Sequence, residues 1–151
     1  MPELTQERTI QAPAEKVFDA IVDLRAYNDW LTPSSSYPGT TEISSDPVAL
    51  GTTYVESGPK GVRRGEVTEF DRPTRVTFHQ PMSLKPGFLG SLDIDVRYAL
   101  TPAGESTNLR RVVTLKSGWP AKLVQPLIVR QFRAEIERTL AAMKELLEDR
   151  S

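Results

Sequence analysis

In residues 126–150 the apolar side chains Ile128, Phe132, Ile136, Leu140, Met143 and Leu147 recur at intervals of four, four, four, three and four. That spacing lines one stripe of an α-helix. Arg130, Arg133, Glu137, Arg138, Lys144, Glu145 and Glu148 fall mostly on the other flanks, so the helix is amphipathic. At about 1.5 Å per residue it runs roughly 35 Å, enough to cross a small domain. A helix of this kind is marginal alone in water, so its stripe needs an apolar surface to lie against. The remainder of the chain must supply one.

The preceding sequence has strand character. Residues 4–11 read as a first strand, with Thr9 and Ile10 as its β-formers. Ala12-Pro13-Ala14-Glu15 then opens a helix, with Pro13 near the first turn, where a missing N–H costs little. Val17, Phe18, Ile21 and Val22 give that helix an apolar face, with Leu24 just beyond. A second short helical piece, 25–31, carries Tyr27 and Trp30 on one side, and 32–39 is a loop by composition. From residue 40 onward, β-type runs at 40–44, 52–57, 62–70, 75–80, 91–100 and 107–116 alternate with turn residues. Short connections between successive strands argue an antiparallel meander. The clearest run is 91–100, where Leu92, Ile94, Val96, Tyr98 and Leu100 alternate with Asp93, Asp95 and Arg97, one face buried and one wet. A helix stripe against the buried face gives an α+β, two-layer packing.

Length and charge narrow the function classes. The 151 residues fit one domain, 1–151, able to bury a core. A net charge of −1 gives no reason to expect nucleic acid or anionic lipid as partner. With no cysteine there are no disulfides, thiolate nucleophiles or cysteine metal sites. The N-terminal residues lack the basic-then-apolar run of a signal peptide. No stretch approaches about 18 consecutive apolar residues, so no membrane span is expected. The expected location is cytoplasmic, with no cofactor and no metal.

The order strand, short helices, meander, long C-terminal helix resembles the START-like (SRPBCC) superfamily, in particular its polyketide cyclase/dehydrase branch. The residues carrying the likeness are Ile10-Gln11-Ala12-Pro13-Ala14-Glu15-Lys16-Val17-Phe18-Asp19-Ala20-Ile21, then Asp23-Leu24, Tyr27-Asn28-Asp29-Trp30, and Gly118-Trp119-Pro120 ahead of the long helix. The resemblance implies a helix-grip fold, in which a curved antiparallel sheet wraps the C-terminal helix around a cavity. Superfamily members use that cavity for lipids, sterols, polyketides, plant hormones or aromatic compounds, some as enzymes, some as carriers and some through protein partners. It carries no universal catalytic signature, so fold alone does not settle function.

Candidate site residues follow from the inward faces. Leu92, Ile94, Val96 and Tyr98 on one strand, and Val124, Ile128, Phe132 and Ile136 on the helix, either line a cavity or close a dry core. Trp30 and Tyr37 are placed toward the same space. Tyr98 is the informative member, because a buried phenol usually finds a hydrogen-bond partner. Arg111 shares a face with Leu109, Val113 and Leu115, so alternation turns its guanidinium toward the apolar side. A buried guanidinium needs a ligand anion or an internal carboxylate, Glu66 or Glu69. Residues 62–70 are ambiguous in phase: one register turns in Arg64 and Glu66, the other Arg63 and Glu69, and a bulge at Gly65 would reconcile them. His79, the only histidine, lies with Arg75 and Thr77 on the outer side, away from any triad or metal chemistry. Residues 81–90 hold Met82, Leu84, Phe88 and Leu89 on a connection rich in proline and glycine, fit either to cover a pocket or to pack on the sheet end or another subunit.

The leading expectation is a binding domain, monomeric or homodimeric, for a small apolar or aromatic molecule of lipid or polyketide type. Arg111 and Tyr98 would fix the polar end of that molecule. A cofactor-independent cyclase or dehydratase moving protons through Glu66, Glu69 or Tyr98 is the alternative. A protein-interaction domain using residues 82–89 is a third.

Overall fold

The alternating run at 91–100 belongs to the longest strand of a seven-stranded antiparallel sheet. In the computed structural model the described residues are 3–23, 41–44, 48–58, 61–84, 88, 90–117 and 125–149, with backbone alone at 128, 131, 132, 136 and 149. The elements are β1 (Glu3–Ile10), α1 (Ala14–Val22), β2 (Thr53–Gly58), β3 (Gly61–Asp71), β4 (Arg75–His79), β5 (Met82–Leu84), β6 (Ser91–Ala103), β7 (Ser106–Ser117) and α2 (Gln125–Asp149). The spatial order is β1-β7-β6-β4-β3-β2, with β5 paired to both β3 and β6. The strands from β2 to β7 therefore form a meander, and β1 docks beside the last of them. The fold class is α+β, of helix-grip form.

One face of the sheet is apolar. Leu92, Ile94, Val96, Tyr98 and Leu100 of β6 are buried, as are Leu109, Val113 and Leu115 of β7 and Val76 and Phe78 of β4. Against this face α1 sets Val17, Phe18, Ile21 and Val22, and Phe18 meets Phe70 edge-on at 5.2 Å. Arg72, in the turn after β3, makes a two-pronged pair with Asp19 of α1 at 2.9 and 3.0 Å. The last three members of the helical stripe, Leu140, Met143 and Leu147, are buried in the same core.

Helix α2 runs along β1. Glu148 Oε2 accepts from the Gln11 amide, Lys144 Nζ donates to the Thr9 carbonyl, and Glu137 accepts from Arg8 and Gln6. Eleven helical steps and five strand steps each cover about 16 Å, so the two backbones keep pace in the same direction.

Three expectations are corrected. Of the expected strand at 40–44, the described residues 41–44 form none; Thr41 makes a single bridge to Val55 beside the edge strand β2. The connection at 81–90 contains a strand, β5, which fills the gap between the ends of β3 and β6. Met82 is therefore a buried core residue rather than part of a cover. The irregularity in β3 lies between Val67 and Glu69, not at Gly65. Before it Arg63, Gly65 and Val67 face inward; beyond it Phe70 does, and the extra residue leaves both Glu66 and Glu69 exposed. The helical piece at 25–31, the loop at 32–39, Leu89, residues 118–120 and Val124 lie outside the described residues.

Candidate functional site

Across the middle of the inner face runs a row of aromatic rings ending in a guanidinium. Tyr54 on β2 meets Phe78 on β4 edge-on at 6.1 Å, and Phe78 meets Tyr98 on β6 in the same geometry at 6.1 Å. Arg111, the cross-strand partner of Tyr98 on β7, lies with its guanidinium carbon 5.3 Å from the Tyr98 ring centre. Gln6 on β1 is the next residue in the same row.

The row skips β3 because β3 offers a glycine there. Gly65 is the cross-strand partner of Tyr54, and a Cβ at Gly65 would stand 2.2 Å from the Tyr54 ring. The absence of a side chain lets the tyrosine lie over the β3 backbone and reach Phe78 and Gln80 beyond. Gln80 Nε2 donates to the Tyr54 hydroxyl. Burial, reinforced by the nearby Glu56 carboxylate, raises the Tyr54 phenol above its ordinary pKa, so the group stays neutral.

Two residues along from Tyr54, Glu56 faces inward too and meets Arg63 of β3 at 3.2 Å, the two side chains only 8% and 10% exposed. This is the buried ion pair that the ambiguous phase of residues 62–70 allowed. Its carboxylate, however, comes from β2 and not from Glu66 or Glu69. Both of those point outward, and Glu69 accepts from Thr77 there. Neither can neutralise Arg111 or serve a cavity.

Arg111 is half-buried on the inner face. Its Nε and Nη1 are closed to solvent and have no hydrogen-bond partner among the described residues. Gln6 shows the same feature with opposite polarity. Its Nε2 donates to Glu137 of α2 at 2.5 Å, while its Oε1 is buried without a partner among the described residues. Unmet donors on one strand thus adjoin an unmet acceptor on the next.

The other candidates are scattered. Leu92, Ile94, Val96 and Tyr98 all lie on the inner face, with Ile94 fully buried. Phe88 is 76% exposed. Trp30 lies outside the described residues, as do the side chains of Ile128, Phe132 and Ile136. His79 pairs with Asp93 at 2.5 Å on the outer face. Among the described residues no cluster of His, Cys, Asp or Glu is arranged to hold a metal ion, and no helix is long and apolar enough to cross a membrane.

Sequence reasoning missed Gln6, Tyr54 and Glu56, and it read Gly65 as a bulge rather than as the space for the Tyr54 ring. A signal for Gln6 was present. Leu4 and Ile10 are an even number of residues apart and both buried, so the alternation between them carries Gln6 and Arg8 onto the inner face.

A family model described as polyketide cyclase / dehydrase and lipid transport matches residues 1–148. No curated protein matches the chain. Among solved structures, a START superfamily protein from Mycobacterium smegmatis superposes with a TM-score of 0.72 at 15% identity, covering 99% of both chains. Norcoclaurine synthase from Thalictrum flavum, in complex with dopamine and hydroxybenzaldehyde, gives 0.73 at 15% identity over 99% of this chain and 88% of that one. The Aha1 dimer from Colwellia psychrerythraea gives 0.68 at 17% identity over 98% and 97%. At these identities the likeness is one of fold.

Proposed function

Because the chain belongs to the polyketide cyclase/dehydrase and lipid transport family, we propose that it binds a small, largely apolar or aromatic molecule over the inner face of the sheet. The molecule's body lies along Tyr98 and its neighbours, and its acidic end meets Arg111. One observation carries this reading: an inward-facing guanidinium, stacked on Tyr98, whose Nε and Nη1 find no partner among the described residues. A charged group left in that condition costs folding free energy, and an anionic ligand is the missing counterpart. The fold neighbour solved with dopamine and hydroxybenzaldehyde lends support, both being aromatic.

Two measurements test it. Native mass spectrometry of protein purified from its own host, followed by denaturation, identifies a retained molecule; a tightly held ligand survives because it stabilises the folded form. Arg111→Met should then weaken acidic ligands far more than neutral ones of equal size. Equal losses for both would remove Arg111 from the site.

The buried Glu56 gives a second reading some footing, that of a cofactor-independent enzyme. Glu56 and Tyr54 stand two residues apart on the inner face of β2, one a carboxyl and the other a phenol held neutral. In that reading the carboxyl moves the proton and the phenol donates a hydrogen bond to developing charge. Glu56→Gln should abolish turnover while leaving ligand affinity within about threefold; full turnover in that variant refutes it.

A further inference from the structure

Resting on the binding reading above, the geometry points to a ligand head group of a particular kind: a carboxylate with a hydroxyl on the adjoining carbon. Arg111 offers only donors, and two of them, Nε and Nη1, are unmet. A simple carboxylate would satisfy those and leave the Gln6 carbonyl oxygen, one strand away, without a donor. The Gln6 amide cannot turn to cure this. Its nitrogen is tied to Glu137 of α2, and a flip would set its oxygen against a carboxylate. The side-chain oxygen therefore stays where it is, an unmet acceptor across the strand pair from a cation.

A group that fills both needs must accept from Arg111 and donate to Gln6. An α-hydroxy acid does so in one unit, its carboxylate on the guanidinium and its hydroxyl on Gln6 Oε1. The atoms concerned are closed to solvent, so the head group reaches them as the half-buried Arg111 side chain turns over the Tyr98 ring. Two polar points, one of them held by Glu137, and an aromatic surface make three points of attachment in all. The site then distinguishes mirror images, which a guanidinium and an apolar wall alone would not.

The experiment uses the full chain and four probes of similar size: the two mandelate enantiomers, phenylacetate and phenylethanol, with dissociation constants from chemical-shift titration. One mandelate enantiomer should bind about fivefold tighter than phenylacetate, the worth of one net hydrogen bond, and the other no tighter than phenylacetate. Gln6→Met should erase that preference and leave phenylacetate binding within about twofold. Arg111→Met should weaken all three acids but spare phenylethanol. Equal binding of both enantiomers and phenylacetate by the unmodified protein, an arm needing no variant, overturns the head-group assignment while leaving the acid-binding reading standing. A preference that survives Gln6→Met overturns the role of Gln6. Failure of every probe to bind overturns the head-group assignment together with the reading beneath it.

Discussion

Replacing Gly65 by alanine tests whether the aromatic row is held together as described. The new Cβ would sit 2.2 Å from Tyr54 Cζ and 2.6 Å from Cε1 and Cε2. Carbon atoms in contact rest at about 3.5–4.0 Å, so the ring must retreat by more than an ångström. It has nowhere free to go, being 2% exposed, edge-on to Phe78 and bonded through its hydroxyl to Gln80. Retreat loses an edge-on aromatic pair, about 0.5–1.5 kcal/mol, and a hydrogen bond, about 1 kcal/mol. Strain in a packed core adds about 1–3 kcal/mol. The smaller entropic cost of ordering alanine in a strand returns about 0.5–1 kcal/mol. The net is a loss of about 3 kcal/mol, or about 6–12 °C in Tm for a domain of this size. The assay is a double-mutant cycle by urea unfolding. In a Tyr54→Ala background the space above residue 65 is vacant, and Gly65→Ala should be neutral or stabilising by up to about 1 kcal/mol. An equal cost in both backgrounds would show that the glycine serves something other than the tyrosine, and the account of the row would fall.

Three further outcomes follow from the same face. Arg111→Met should raise the stability of the ligand-free protein by about 1 kcal/mol, because the cost of unmet charged donors exceeds the cation–π attraction to Tyr98; a fall in urea midpoint would mean that the arginine is structural. Glu56→Ala should destabilise by about 3–5 kcal/mol by taking the carboxylate from beside a buried Arg63, and adding Arg63→Met should recover most of it; a loss that the second substitution deepens would refute the pairing. Tyr54→Phe concerns pH. The buried phenol's pKa is raised, so its contribution is whole below about pH 10 and is lost as pH climbs past the unfolded value toward the folded one. The phenylalanine variant should therefore lose less stability than the unmodified protein between pH 9 and pH 11, on a scale of about one pH unit above and below the free phenol; parallel curves would show that the phenol is not held neutral.

What the sequence revealed tracks how far each feature depends on neighbours along the chain. Alternation in β6 and the last turns of the α2 stripe are local, and they give the sheet, its inner face and the core positions of Leu140, Met143 and Leu147 directly. The phase of β3 is not local. Its two halves expose different sides because an extra residue sits between Val67 and Glu69, and only pairing with β4 shows where. Choosing Glu66 and Glu69 as interior acids failed for that reason. Strand β2 hid its importance similarly: Tyr54 and Glu56 alternate with Val55, so composition alone does not choose the face. The choice is made by Gly65, eleven residues on, which leaves room for the Tyr54 ring.

The distribution of polar groups over one sheet face separates what this fold needs for stability from what it carries at a cost. Near Ile10, Leu100 and Leu109 the face is apolar and is closed by α1 and the C-terminal half of α2. Further along, the same face turns polar: Gln6 and Arg111 with unmet atoms, then Glu56 and Arg63 as a buried pair. Hydrophobic residues of similar volume at Arg111, Glu56 and Arg63 would serve folding as well or better. A departure from local consistency that folding does not require is expected at a functional site. Here the departures lie on one face, joined by Tyr54, Phe78 and Tyr98. A ligand with an aromatic body and an acidic head would meet the whole row at once. Its binding would return at Arg111 the free energy that the empty protein gives up there.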